Sequence, residues 1–244
     1  MTKLRLDQLL VERKLAPSRQ KAQAIILAGL VLVNDKPIDK VGTKVPADAD
    51  VRLRGNPIPY VSRGGLKLEH AFKQFSPEVQ DKIALDVGIS TGGFTDCLLQ
   101  NGARRVYGVD VGRAQVAWSL RQDDRVVLFE NTNFRHFDHQ LLAEKIDLAV
   151  IDVSFISLTL ILPVVRQCLL SGAHVIPLVK PQFEVGRENI GSKGVVRDPE
   201  LRQQAVDKIK QFAESLGFEL LGETMSPVVG PKGNREFLLY LRLP

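Results

Sequence analysis

Two kinds of hydrophobic spacing divide the chain. Leu4, Leu6, Leu9 and Leu10 recur at helical intervals within residues 4–14, and Ala22, Ile25 and Ile26 do so again between Arg19 and Ala28. Pro17 separates the two stretches, Ser18 is placed to cap the second, and Gly29 to stop it. Residues 31–33 then read as a strand closed by the turn residues Asn34 and Asp35, and residues 51–53 as a second strand. This predicts a small α+β unit over residues 1–55. Two prolines, Pro57 and Pro59, stiffen a linker over residues 56–62, and an amphipathic helix follows, ending near Gln74.

From Lys82 the pattern changes to short, solidly apolar runs, as expected of strands covered on both faces. They fall at residues 83–85, 105–110, 126–129, 147–152 and 173–180, with two further strands expected at 217–223 and 236–241. Helices are predicted to start near Thr95, over 158–170 and over 199–215, and residues 185–198, rich in glycine and charge, read as a mobile lid. Strands and helices in alternation predict a parallel sheet with crossover helices. The second domain, residues 63–244, is thus expected to be α/β.

Charge sharpens this division. Residues 1–54 carry 11 Lys and Arg against 6 Asp and Glu, a surplus of five, while the remaining 190 residues carry 22 of each sign. The whole net charge of +5 sits on the small unit, which suits an appended module for a polyanion. Cys97 and Cys168 lie in apolar helical patterns and read as reduced thiols, and the four histidines are too scattered for a metal site. No apolar run reaches membrane-spanning length and no apolar signal core follows Met1, so a cytoplasmic protein without metal or stable membrane insertion is expected.

The stretch Asp86-Val87-Gly88-Ile89-Ser90-Thr91-Gly92-Gly93-Phe94 carries the chemistry. A strand that breaks into glycines before a helix opens a ligand crevice at the carboxyl edge of an α/β sheet. The Lys-Ser/Thr ending of a phosphate loop is absent, and the dinucleotide glycine spacing is not met. An acid at the strand end suits a cationic or amino-acid ligand, and S-adenosylmethionine has both features. Asp110 ends the next strand about twenty residues on, where a carboxylate accepts both hydroxyls of an adenosine ribose.

Two resemblances extend this reading. The spaced positions Arg5-Leu6-Asp7, Leu10, Ser18-Arg19, Ala22, Gly29, Val31 and Val33-Asn34 resemble the S-four type of RNA-binding domain, which implies that Arg5, Arg19, Lys21 and Asn34 face RNA. Ser62-Arg63-Gly64-Gly65-Leu66-Lys67, the glycine stretch, Asp152-Val153-Ser154-Phe155-Ile156-Ser157, Lys180-Pro181-Gln182-Phe183-Glu184 and Gly233-Asn234-Arg235-Glu236-Phe237 resemble an FtsJ-type methyltransferase. With the RNA-binding head the whole chain resembles the TlyA family, ribosomal RNA ribose 2′-O-methyltransferases also described as haemolysins. The resemblance implies a Rossmann-like fold with a seven-stranded, mostly parallel sheet whose last strand is antiparallel. It implies S-adenosylmethionine held by Asp86, Gly88, Ser90, Thr91, Gly92, Gly93, Phe94, Asp110, Val111, Asp152 and Asn133, the last replacing an adenine-contacting acid. Its Lys-Asp-Lys-Glu catalytic set falls on Lys67, Asp152, Lys180 and Glu236, and Arg63 joins the residues expected on RNA. Phe94 and Ser90-Thr91 stand where FtsJ proper has a tryptophan and an alanine-proline pair, as in the TlyA branch.

The chemistry asks for these residue types. A ribose 2′-hydroxyl must lose its proton as it attacks a sulfonium methyl group, and a lysine made neutral by burial or a neighbouring cation can take it. Lys180 is expected as that base, with Lys67 and Glu236 placing the ribose and Asp152 near the methyl group. Each lysine alone reads equally as a surface ion pair. A catalytically silent RNA-binding or assembly factor and a pore-forming haemolysin are the rival readings, and the second lacks a spanning segment.

Overall fold

The computed structural model describes residues 3–54, 58–186, 189–191, 194–230 and 233–244. The chain divides into two compact units, Met1–Pro59 and Tyr60–Pro244.

In the first unit, β1 (Lys3–Arg5) leads into α1 (Leu6–Glu12), and α2 (Arg19–Leu27) follows with the Ser18 hydroxyl accepting from the Lys21 amide. Then come β2 (Val31–Val33), β3 (Lys36–Ile38), β4 (Lys44–Pro46) and β5 (Val51–Leu53). β2 pairs antiparallel with β3 and β5, and β1 with β4. Leu4 therefore sits in a strand opposite Val45 rather than in the first helix, because Leu6 is where burial at helical spacing begins. Leu6, Leu9, Leu10, Ala22, Ile25, Ile26 and Val31 close a core of the unit's own.

The second unit opens with α3 (Gly64–Phe75). β6 (Ile83–Val87), α4 (Gly93–Gln100), β7 (Arg105–Val109), α5 (Trp118–Arg121), β8 (Val126–Phe129) and β9 (Ile146–Ile151) alternate after it. α6 (Leu162–Cys168), β10 (Leu169–Val179), α7 (Pro181–Glu184), α8 (Pro199–Ser215), β11 (Glu219–Met225) and β12 (Phe237–Arg242) complete the chain. The seven strands lie in the order β11-β12-β10-β9-β6-β7-β8. β6 to β10 pair in parallel, and β12 runs against both β10 and β11. The strand order reverses beside β6, so the switch point of the sheet, and with it the ligand crevice, lies at the carboxyl end of that strand. Every residue of β6 is buried, which accounts for its unbroken apolar run.

The stretch 158–170 differs from its expected form. A 3₁₀ turn at Leu158–Leu160 precedes α6, and the chain is already extended at Leu169, with a break in register between Leu169 and His174. A continuous apolar run serves a buried helix and a buried strand equally, so its pattern does not mark the change between them. The expected lid, residues 185–198, includes positions 187–188 and 192–193, which lie outside the described residues. Of the remainder, Val195 and Val196 are buried, and the Asn234 side chain accepts from the Val196 amide at 3.1 Å and donates to the Gly194 carbonyl at 2.9 Å.

Candidate active site

Four charged side chains converge at the carboxyl edge of the sheet. Lys67 comes from the first turns of α3, Asp152 and Lys180 directly follow β9 and β10, and Glu236 precedes β12, whose reversed direction starts it at this edge. Lys67 Nζ lies 2.7 Å from Glu236 Oε2 and 3.5 Å from Asp152 Oδ2. Lys180 Nζ lies 2.6 Å from Asp152 Oδ1 and donates to Ser154 Oγ at 3.0 Å. Asp152 thus joins the two ammonium groups. Burial works against its charged form, but Lys180 and Lys67 together outweigh it and hold the carboxyl below its ordinary range. Lys67 and Lys180 are only 8% and 7% exposed, so their ion pairs are shielded from the screening that makes surface pairs weak. Glu236 is buried, and among the described residues its Oε1 has no hydrogen-bond partner.

The glycine loop sits beside this cluster. Gly88 has φ +86°, and a Cβ there would meet the Asp152 carbonyl oxygen at 2.6 Å, so no other residue lets β6 and the Asp152 loop approach so closely. The Gly88 and Ile89 amides both donate to the Val109 carbonyl, and Ser90 is held at φ +50° with its amide on Asp110 Oδ2 at 2.8 Å. Asp110 Oδ1 accepts from the Gly112 amide at 2.7 Å, and each carboxylate oxygen keeps lone-pair capacity for a further donor.

Two cavities meet at the loop. One, of about 340 Å³, is lined by Gly88, Ser90, Asp110, Val111, Asn133 and Asp152 and by the apolar side chains of Phe134, Val153, Phe155 and Ile156. The other, of about 330 Å³, holds Arg63, Lys67, Ser90, Thr91, Gly93, Phe94, Asp152, Lys180 and Glu236. Asn133 already uses Oδ1 to accept from the Arg135 amide. Thr132, in the polar stretch after β8, lines the first cavity, and so does Gln115, which no sequence motif marks.

Two residues expected on the ligand are absent from both linings. Asp86 is one residue short of the end of β6, so its side chain stays inside the layer instead of reaching the crevice. It is fully buried, with Oδ2 accepting from Thr95 Oγ1 at 2.7 Å and Oδ1 without a partner among the described residues. Burial pushes its carboxyl up to about 7, against the Thr95 hydroxyl and with smaller contributions from Asp152 and Asp110. Gly92 forms the left-handed cap of α4 at φ +95° and faces Leu120.

A third cavity of about 290 Å³ opens on Lys180 and Glu236 and is walled by Phe155 and Phe183. Their ring centroids are 5.2 Å apart, and Phe155 is 90% exposed at φ +64°. A β-region residue gives no such strain, and an aromatic held this far out of the core stands apart from the packing that explains other phenylalanines. The sequence signal was present only as an aromatic between Ser154 and Ile156.

Of the residues expected on RNA, Arg5 and Arg19 both pair with Asp7 at 3.0 Å while remaining partly exposed. Lys21 is part-exposed on α2. Asn34 occupies an exposed turn at φ +50° and accepts from the Asp50 amide. Arg63 belongs to the second unit, at the start of α3.

A switch-point glycine loop with an acid on the following strand defines a nucleoside-binding α/β enzyme. Residues 60–243 match the FtsJ-like methyltransferase model, and residues 4–51 match the S4 domain. The chain therefore belongs to the FtsJ-like methyltransferases, carrying an S4 domain ahead of the enzyme unit. It is 52% identical over 99% of its length, and 86% of the relative's, to a Bacillus subtilis protein named as an rRNA methyltransferase, YqxC. It is 44% identical over 98% of its length to the Mycobacterium tuberculosis 16S/23S rRNA (cytidine-2′-O)-methyltransferase TlyA, of which it covers 89%. A solved Streptococcus thermophilus structure described as a hemolysin superposes with a TM-score of 0.77 at 46% identity, covering 99% of this chain and 88% of that one. Among the described residues no helix is long and apolar enough to cross a membrane.

Proposed function

We propose that this enzyme methylates a ribose 2′-hydroxyl of ribosomal RNA, working in the cytoplasm with S-adenosylmethionine as methyl donor. The observation that carries the reading is the Lys67–Asp152–Lys180 chain, two buried lysines joined by a half-buried carboxylate, with Glu236, set where the two loop cavities meet. The names of the close relatives point the same way.

The residues present fit the donor. Asp110 would accept from the ribose hydroxyls, Val111, Phe134 and Ile156 would wall the adenine, and the Asn133 amide N–H would meet the ring edge. Bound there, S-adenosylmethionine supplies an electrophilic methyl group on a sulfonium. Lys180, once it has released its own ammonium proton to solvent, takes the proton of the 2′-hydroxyl as that oxygen becomes the nucleophile. Lys67, held by Glu236, fixes the ribose, and Asp152 keeps both lysines within reach and balances their charge. The cavity between Phe155 and Phe183 takes the base turned out beside the reacting ribose, since an unstacked base finds a new stacking partner on an aromatic ring.

The test is Lys180→Arg, which keeps the positive charge but cannot accept a proton. Single-turnover transfer of labelled methyl to ribosomal subunits is expected to fall by about 10²–10⁴-fold with cofactor affinity retained. Lys67→Arg is expected to lose less. A near-normal rate for Lys180→Arg with loss in Lys67→Arg makes Lys67 the base. Cofactor binding without turnover in the unmodified protein favours the silent RNA-binding factor instead.

A further inference from the structure

Asp7 is an anion at the centre of the unit that carries the chain's whole positive surplus. It is fully buried, and its carboxylate accepts from Arg5 Nε at 3.0 Å and Nη2 at 3.3 Å, and from Arg19 Nε at 3.3 Å and Nη2 at 3.0 Å. Gln23 Nε2 at 3.1 Å and the Gln8 amide at 3.1 Å complete its shell. The Arg5 guanidinium foremost, with Gln23 and Arg19, holds the carboxyl well below the usual carboxylate range despite its burial.

Each arginine meets Asp7 through Nε and Nη2, and among the described residues neither Nη1 has a protein partner. The two side chains are 41% and 53% exposed. We propose that Asp7 is a positioning residue that locks the Arg5 and Arg19 guanidinium groups into a ready-made pair of forks for RNA backbone phosphates. The inference rests on the reading that this unit holds RNA. On charge alone, a carboxylate here opposes a polyanion; its benefit is that two long side chains are ordered before RNA arrives.

The two effects differ in sign, which makes Asp7→Asn in the full-length protein decisive. The substitution removes one negative charge from an RNA-binding face. If charge alone governs, affinity for purified ribosomal subunits and for a short RNA duplex rises; that outcome overturns the inference. If Asp7 acts by ordering the arginines, affinity falls about tenfold at fixed salt, the scale of ordering two rotamer-rich side chains. Arg5→Ala with Arg19→Ala separates the two levels. Unchanged RNA affinity in that double variant removes the RNA role of this face, whereas weakened binding there with undiminished binding in Asp7→Asn overturns the Asp7 role alone. A measurement on the unmodified protein guards against a variant that misfolds. Without RNA, the Nε–H groups of Arg5 and Arg19 are expected to show restricted motion and slowed solvent exchange by nuclear magnetic resonance. Mobility equal to that of other exposed arginines overturns the inference.

Discussion

Glu236 grips Lys67 with one oxygen at 2.7 Å while its other oxygen meets no donor among the described residues, and the reason it can sit there is a glycine. A Cβ on Gly230 would lie 2.3 Å from Glu236 Oε1, so Gly230→Ala has to push the carboxylate or the loop aside. The expected outcome is a loss of methyl transfer of up to about 10²-fold, the cost of misplacing a catalytic group by roughly an ångström, with cofactor affinity held. Single-turnover rates check it, and full activity would show that the position of Glu236 is immaterial. Lysine before proline at a strand end singled out Lys180 and an acid at a strand end singled out Asp152 as local patterns, whereas Lys67 and Glu236 were named through the family resemblance. The bridging of both lysines by Asp152 was not legible, since Lys67 and Glu236 are 169 positions apart and only the sheet order brings them together.

β6 is the element on which the crevice is built, and its one acid acts differently from the acids around it. The Asp86 carboxyl, raised to about 7 by burial, binds its proton more tightly in the folded chain than the ordinary value near 4 allows when unfolded. Stability is therefore undiminished below about pH 4, falls as pH rises from about 4 to about 7, and is level above. Asp86→Asn removes this fall, because a neutral amide keeps the Thr95 hydroxyl bond and needs no proton. Denaturant midpoints across that range are expected to show the variant gaining on the unmodified protein by on the order of a few kcal/mol by pH 8. A constant difference at every pH would refute the assignment. At this scale the pattern foretold strands buried on both faces, but not which side of a strand end a side chain leaves by. Asp110 follows the last residue of β7 and reaches the cavity, whereas Asp86 stops one residue short of the end of β6 and does not.

The whole molecule joins an electrically neutral enzyme unit to a basic one, each with its own core. Residues 60–244 alone are expected to bind S-adenosylmethionine as tightly as the full chain, by calorimetry, while losing most affinity for ribosomal subunits. The full chain's RNA affinity is expected to fall steeply with salt, as phosphate contacts require. Full-rate RNA methylation by the shorter chain would contradict this division. The change from a basic unit to a neutral one, the alternation of strands and helices and the glycine loop follow from the sequence, because hydrophobic period, turn chemistry and charge are properties of neighbours along the chain. Tertiary structure alone decided the rest. It closed Phe155 and Phe183 into one cavity, buried Asp86 against Thr95, strung Lys67 and Lys180 on Asp152, and gathered Arg5 and Arg19 on Asp7. The lysine chain and the aromatic cavity depend on distances between segments remote in sequence, set by strand order, and the Asp7 and Asp86 contacts on how neighbouring elements pack.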